Sequence, residues 1–250
     1  MRLSRTQRHW NRFARTDPFW AVLTLPDKKT NRWQVDEFFQ TGVESVANEL
    51  RGVRALCPDL KAGAALDFGC GVGRLSQALA GHFQNVTGVD ISEEMLELAR
   101  RHNRAGDRVQ YLHNARSDLQ LLPDNRFDFV YSIITLQHME PVYAKQYIAE
   151  FVRVTAPGGV ILFQVPVFVP ARLKGRPFTL WPDTLARRLL RDLRAKFAAP
   201  IMEMHAIPRV EVEAVLRAAG AELLNAYRYD AAGGEIESWG YLARKPGGPA

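Results

Sequence analysis

Apolar positions recur along the chain with two different periods. Short apolar runs, beginning near residue 64, alternate with longer segments whose apolar residues repeat every three to four positions. The pattern predicts strands at Ala64–Phe68, Val86–Asp90, Val109–Leu112, Phe127–Ile134, Val160–Val165, Glu222–Tyr229 and Ser238–Arg244. It predicts helices between them at Arg74–Phe83, Ser92–His102, Tyr143–Val154 and Arg209–Ala219. Strands that alternate with helices indicate an α/β fold, with a mostly parallel sheet covered on both faces.

Two segments lie outside this alternation. Residues 1–60 are rich in aromatic side chains and helical in pattern, and the pattern breaks again between residues 166 and 206. The second break follows the fifth strand, at the edge of the sheet where open α/β sheets bind their ligands. Long insertions in compact domains are usually functional. We therefore expect residues 166–206 to cap a ligand site, with residues 1–60 as its other wall.

Composition narrows the class of protein. Of 250 residues, 47% are hydrophobic and 24% are charged, as in ordinary globular domains. The most apolar stretch, Val160–Val169, is shorter than the ~18 residues of a membrane helix, and Gln164 and Pro166 interrupt it. No transmembrane segment is predicted. With two cysteines and no Cys/His cluster, we expect neither structural zinc nor disulfides, and a cytoplasmic location.

The net charge of +6 is concentrated in residues 1–15 and 170–200. In the second segment, Leu185, Leu189, Leu193 and Phe197 form the apolar stripe of a predicted amphipathic helix. Its other face is basic: Arg187, Arg188, Arg191 and Arg194. Three interpretations stay open: a solvated face, a homodimer contact through residues 185–197, and a membrane-surface contact.

The clearest local signal is the glycine turn after the first strand, Gly69-Cys70-Gly71-Val72-Gly73. Without a Cβ, the backbone there can approach a ligand closely. The dinucleotide pattern GxGxxG fails, because its third glycine would fall on Arg74 or Ser76, and no Gly-Lys-Ser/Thr follows. Asp67, just before the turn, would repel a phosphate but suits an amino group or another cation.

A second acid belongs to the same predicted edge of the sheet. Asp90 ends the second strand, 17 residues after Gly73. A carboxylate there can accept hydrogen bonds from both hydroxyls of a ribose. Together the two acids and the glycine turn describe an adenosine ligand that bears positive charge and no pyrophosphate. S-adenosylmethionine meets that description.

Four motifs occur in one order and spacing: Leu66–Arg74, Val86–Ser92, Phe127–Ser132 and Thr155–Gly159. In these the chain resembles the class I S-adenosylmethionine-dependent methyltransferases of small-molecule type. The likeness covers about residues 62–166 and extends to about 245. It implies a doubly wound, Rossmann-like sheet of seven strands in the order 3-2-1-4-5-7-6, with strand 7 antiparallel. It makes residues 61–250 the catalytic domain, residues 1–60 a helical cap or substrate lid, and residues 166–206 an inserted substrate cap.

The resemblance also implies which residues contact the cofactor. Asp67, Gly69, Gly71 and Gly73 would do so, with Cys70 contributing its backbone, and Asp90 would bind the ribose. Ile91 and Met95 would wall the adenine. Asn114 and Ala115 stand nearest to the position of an acid that often reaches the adenine amino group. Ser132 would border the methionine part.

The segment after the fourth strand bears on the acceptor. It lacks the Asn/Asp-Pro-Pro-aromatic motif of enzymes that methylate base amines, and neither cysteine occupies the place of a cytosine-attacking nucleophile. Nucleic acid is therefore not an expected partner. The run Gln137-His138-Met139 instead resembles enzymes of natural products, sugars and quinones. We expect methyl transfer to an oxygen or nitrogen of a small-molecule acceptor.

A hydroxyl acceptor usually needs a base, and His138 and His205 are the candidates. No metal site is predicted. Two other functions stay open: a catalytically silent S-adenosylmethionine-binding regulatory protein, and a membrane-associated lipid or quinone methyltransferase.

Overall fold

A computed structural model describes residues 3–170, 200–229 and 236–247. Within these ranges the strands form a sheet in the order β3-β2-β1-β4-β5-β7-β6. Strands β1 to β5 pair in parallel, and β7 is antiparallel to both β5 and β6. The strands are β1 Ala64–Phe68, β2 Asn85–Asp90, β3 Val109–His113, β4 Phe127–Ser132, β5 Thr155–Phe168, β6 Glu222–Arg228 and β7 Glu237–Arg244. The Rossmann-like fold and strand order predicted from the sequence are confirmed.

Helices precede the sheet and cover both of its faces. Before it come α1 Leu3–Thr16, α2 Pro18–Val22 and α3 Val35–Leu56. Between and beside the strands lie α4 Arg74–Leu79, α5 Glu93–Arg101, α6 Pro141–Val154 and α7 Arg209–Ala218, with 3-10 turns at Pro26–Lys28, Gly106–Arg108 and Leu136–His138. The Ser92 hydroxyl caps α5 by accepting a hydrogen bond from the Met95 N–H.

Strands β4 and β5 differ most from their predicted bounds. The Pro157-Gly158-Gly159 run belongs to β5 rather than preceding it, because Gly158 and Gly159 each exchange a backbone hydrogen bond with Lys245. Strand β4 ends at Ser132 rather than Ile134, because Ile134 adopts a left-handed backbone with φ of 58°.

The sheet separates two apolar cores. One side packs Phe151 of α6 against Phe163 and Tyr241, and the other packs Leu50 of α3 with Phe129 of β4. A third cluster joins the N-terminal helices to the α/β domain, and it contains Phe13, Trp33, Phe38, Val72 and Met95. Burial of such side chains contributes roughly 1.5–3 kcal/mol each, so α1 to α3 are firmly attached to the glycine turn.

Most of the predicted cap lies outside the described residues, including the amphipathic helix Leu185–Phe197. The two ends of the cap are described. They lie together, since the Ile207 N–H donates to the Pro166 carbonyl over 2.9 Å. In the part of the chain that the structure describes, the helices are too short or too polar to cross a membrane.

Candidate active site

A cleft opens at the carboxyl ends of β1, β2 and β4, beneath α1. Its empty space is about 880 Å³ when the open mouth and adjoining solvent are included. Its walls are mostly apolar. They comprise Leu3, Thr6, Trp10, Val22, Phe68, Gly69, Cys70, Gly71, Arg74, Leu75, Val89, Asp90, Ile91, Asn114, Ile133, Ile134, Thr135, His138, Met139 and Tyr147.

The glycine turn forms the floor of the cleft. Gly69 and Gly71 have φ of 78° and 52°, in the left-handed region where a side chain costs roughly 1–2 kcal/mol. A Cβ on Gly69 would also collide with the Thr135 side chain. Cys70 lies between them with a buried thiol whose pKa burial raises, so the sulfur stays protonated and uncharged. The turn therefore offers the cleft backbone atoms without charge.

Asp90 stands beside this turn, and backbone donors hold it. Its Oδ2 accepts a hydrogen bond from the Gly71 N–H and its Oδ1 accepts one from the Ser92 N–H, each over 2.8 Å. Burial raises the pKa of the carboxyl group. Each carboxylate oxygen can accept more than one hydrogen bond, so Asp90 retains acceptor capacity toward the cleft.

Two other predicted contacts adjoin Asp90 in the cleft wall. Ile91 follows it directly, and the Asn114 N–H donates to the Asp90 carbonyl over 2.9 Å. The Asn114 amide is engaged within its own loop, because its NH2 donates to the Asp118 carbonyl over 2.8 Å. It can border a ligand, but most of its hydrogen-bonding capacity is already used.

Five predicted contacts are not in the cleft wall. The Asp67 carboxylate is buried and accepts a hydrogen bond from the Ser76 hydroxyl over 2.6 Å. The Ser132 hydroxyl donates to the Phe68 carbonyl, so it too points into the protein. Three more lie outside the cleft wall. Gly73 faces the Tyr111 ring with its open side, Met95 is fully buried, and Ala115 is exposed in its loop.

The two predicted histidines lie close to one another, but only His138 borders the cleft. His138 is 4% exposed, and burial lowers its pKa to about 4. Its Nδ1 lies 2.8 Å from the carbonyl oxygen of Glu203. The backbone N–H of His205 donates to the Gln137 carbonyl over 2.8 Å, while its ring Nε2 is 3.5 Å from the Glu203 carboxylate. Because its pKa is about 4, His138 is neutral at physiological pH.

Among residues 3–170, 200–229 and 236–247, no three or more His, Cys, Asp or Glu side chains are grouped so that they could hold a metal ion.

Comparison with known families accounts for this geometry. The pattern of the family described as "Methyltransferase domain" matches residues 65–159, from β1 into β5. The match includes the glycine turn, Asp90 and His138. Residues 65–159 form a methyltransferase domain.

Curated relatives match this domain and some of its surroundings. A ubiquinone biosynthesis O-methyltransferase of Aromatoleum aromaticum is 34% identical over 122 residues, covering 46% of this chain and 51% of the relative. A demethylmenaquinone methyltransferase of Clavibacter sepedonicus is 33% identical over 137 residues, covering 54% of each. The chain thus spans about half the length of the curated relatives it matches.

A solved structure shares the fold over most of the chain. The magnesium protoporphyrin IX methyltransferase of Synechocystis PCC 6803, with bound SAH, superposes with a TM-score of 0.57 at 18% identity. The match covers 91% of this chain and 93% of that one. At this identity the likeness establishes the Rossmann-like fold alone.

Helix α1 lies over the cleft, as expected of residues 1–60, but the sequence did not indicate which of its residues contribute to the site. Trp10 of α1 lines the cleft and lies 5.1 Å from His138, ring centre to ring centre. Arg5 forms an ion pair with Glu203, and His9 Nδ1 accepts a hydrogen bond from the Ile201 N–H over 3.3 Å. The aromatic content of residues 1–60 was the available signal, but it did not show which face of α1 meets the cleft.

Proposed function

We propose that the chain is an S-adenosylmethionine-dependent methyltransferase that acts on an oxygen or nitrogen of a small-molecule acceptor. A hydroxyl on an apolar, quinone-like ring is the acceptor we favour. One observation carries the proposal: the cleft joins an uncharged glycine turn and the Asp90 carboxylate to a wall that is mostly apolar.

The residues at the β1–β2 end fit the cofactor. Asp90 has acceptor capacity for ribose hydroxyls, and the backbone of Gly69 to Gly71 leaves a cradle that side chains would fill. The apolar side chain of Ile91 suits a purine face. When bound, S-adenosylmethionine supplies an electrophilic methyl group on a sulfonium. The absence of a lysine from the turn agrees with a ligand that bears no phosphate.

The remaining lining of the cleft suits an uncharged acceptor. Trp10, Ile134 and Met139 present aromatic and aliphatic surface there. A charged acceptor would lose its hydration without a paired counter-ion, whereas a flat apolar ring is favoured. Relatives named for ubiquinone and demethylmenaquinone support a quinone-like acceptor.

Positioning supplies much of the expected catalysis. When two reactants are held side by side in one cleft, their reaction becomes effectively unimolecular. Good orientation can lower the energy barrier by roughly 7–11 kcal/mol. Leu3, Thr6 and Trp10 of α1 line the cleft, and neutral His138 can accept a hydrogen bond from an acceptor hydroxyl. A neutral amine would need no such contact for its attack.

Calorimetry with S-adenosylmethionine is the first test. Asp90→Ala should weaken binding by about 10- to 100-fold, because hydrogen bonds to a charged group contribute roughly 1.5–3 kcal/mol each. Asp107→Ala removes an exposed acid elsewhere and should bind like the parent protein. No measurable binding by the parent protein, or full affinity in Asp90→Ala, would refute the assigned site.

Turnover is tested by release of S-adenosylhomocysteine with catechols and hydroquinones, each with and without an alkyl tail. Release should be fastest with the uncharged, tailed rings. Cofactor binding without release from any acceptor would instead support a catalytically silent binding protein.

A further inference from the structure

A row of buried polar side chains leads from β7 to the cleft. It comprises Ser238 of β7, Gln164 of β5, and Gln137 and His138 of the turn after β4, and each is at most 4% exposed. Buried polar groups of this kind are hydrogen-bonded, here to one another and to the backbone. The direction of each bond can therefore be worked out.

A backbone donor determines one end of the row. The Ile134 N–H donates to Gln164 Oε1 over 2.9 Å, so the Gln164 NH2 group faces the other way. That NH2 donates to Gln137 Oε1 over 3.1 Å and also to the Ser238 hydroxyl. Gln137 must then direct its own NH2 toward His138 Nε2, 3.3 Å away. Because an amide N–H needs a lone pair, Nε2 carries no proton.

A backbone acceptor determines the other end. The Glu203 carbonyl oxygen lies 2.8 Å from His138 Nδ1 and can only accept, so Nδ1 carries the proton. Both ends thus assign the same neutral tautomer. Reversal of either amide would set two N–H groups against each other, and so would protonation of Nε2.

We propose that Gln137 and Gln164 are positioning residues that hold His138 as a neutral imidazole with its Nε2 lone pair kept free of a proton at the cleft wall. The use of that lone pair rests on the proposed function: a hydroxyl acceptor would donate to Nε2 in place of the long bond from Gln137. This aims the acceptor oxygen without requiring a charged histidine.

The charged surroundings agree with this assignment. Glu203 contacts the His138 ring through its backbone carbonyl, while its carboxylate pairs with Arg5 and lies near His205. His9 of α1 lies on the same side, and the Trp10 ring packs on His138. Burial, the largest cause, lowers the pKa of His138. The backbone carbonyls of Glu203 and Ile134 raise that pKa, and nearby His205 lowers it.

Nitrogen-15 spectra of the histidine rings in the full chain test the proposal directly. In the parent protein His138, assigned by its loss in His138→Gln, should carry its proton on Nδ1 and stay neutral from pH 5 to 8. Gln137→Glu is nearly isosteric but places an acceptor where the NH2 was. It should move the proton to Nε2 and raise the titration midpoint from about 4 to above the ordinary 6.5.

Two further variants keep the test decisive. Gln137→Leu removes the donor without adding charge and should give a mixture of tautomers. Gln84→Glu makes the same chemical change at an exposed position and should leave His138 unaltered. An Nε2-protonated parent protein, or a Gln137→Glu variant with an unchanged tautomer and midpoint, would overturn the proposal.

Kinetics then separate this proposal from the proposed function. With a hydroxyl acceptor, Gln137→Glu should lower kcat at least tenfold while the Kd for S-adenosylmethionine stays within twofold. If the spectra change as expected but no acceptor is methylated by the parent protein, the positioning role stands and the proposed function fails.

Discussion

Replacing Asp67 with asparagine should stabilise the free protein at alkaline pH and have little effect in acid. The Asp67 carboxylate is 1% exposed, and the Ser76 hydroxyl donates to it over 2.6 Å. Burial raises the pKa of Asp67 from its ordinary 3.8 to about 6. An asparagine oxygen can still accept the hydrogen bond from Ser76, and it carries no charge.

The size of the effect follows from that pKa. A carboxyl group whose folded pKa is raised favours folding below its unfolded pKa, and this contribution is lost as pH rises through the folded pKa. The difference between 3.8 and about 6, at 1.36 kcal/mol per pKa unit, is about 3 kcal/mol. Above about pH 7 the parent protein should therefore be less stable than Asp67→Asn by up to about 3 kcal/mol. Near pH 4 the two should be nearly equal.

Urea unfolding at pH 4.5 and pH 8 measures the difference. At pH 8 the midpoint of Asp67→Asn should rise by about 1 M, for a slope of roughly 2–3 kcal/mol per molar urea. Asp107→Asn changes an exposed acid and should leave the midpoint unchanged at both pH values. A stability difference that is the same at pH 4.5 and pH 8 would refute the assignment of the shift to Asp67.

The same variant distinguishes two roles for Asp67. The sequence predicts a contact with the cofactor's amino group, but the carboxylate is engaged by Ser76 and is not in the cleft wall. We expect Asp67→Asn to bind S-adenosylmethionine within about threefold of the parent protein. A loss above tenfold would instead favour the contact that the sequence predicts.

Two further variants test the glycine turn at the floor of the cleft and helix α1 above it. Gly69→Ala should lower the free energy of unfolding by more than the roughly 1–2 kcal/mol of a left-handed side chain, and should weaken cofactor binding in calorimetry. Gly106→Ala is the control, because Gly106 has a φ of 61° and open space around it, so this variant measures the backbone cost alone. Equal losses of stability in the two variants would contradict crowding at Gly69. Arg5→Ala breaks the ion pair with Glu203 and should speed proteolytic cleavage between α1 and α3 about two- to fivefold, since such pairs contribute up to about 1 kcal/mol. Arg8→Ala, an exposed neighbour on α1, is the control, and equal rates in the two variants would argue against the Arg5 contact.

Much of the fold could be predicted because its signals are local. The strand and helix periods are written in neighbouring residues, and the glycine turn with Asp90 indicated which strand ends lie side by side. The boundaries at Pro157 and Ile134 were wrong, because a backbone partner at Lys245 and a left-handed residue decided them. Neither is visible in a short window of sequence.

The sequence by itself determined the alternation of strands and helices and the place of the glycine turn next to Asp90, since these depend on short-range patterns. The strand order was implied by the resemblance to the class I methyltransferases. Only the tertiary structure decided which way each polar side chain points. Asp67 and Ser132 face inward because Ser76 and the Phe68 carbonyl are their partners. The His138 tautomer depends on Gln164, 26 positions further along the chain, and on a carbonyl 65 positions away. Hydrogen bonds have direction, and that direction is known only once donor and acceptor lie together in space.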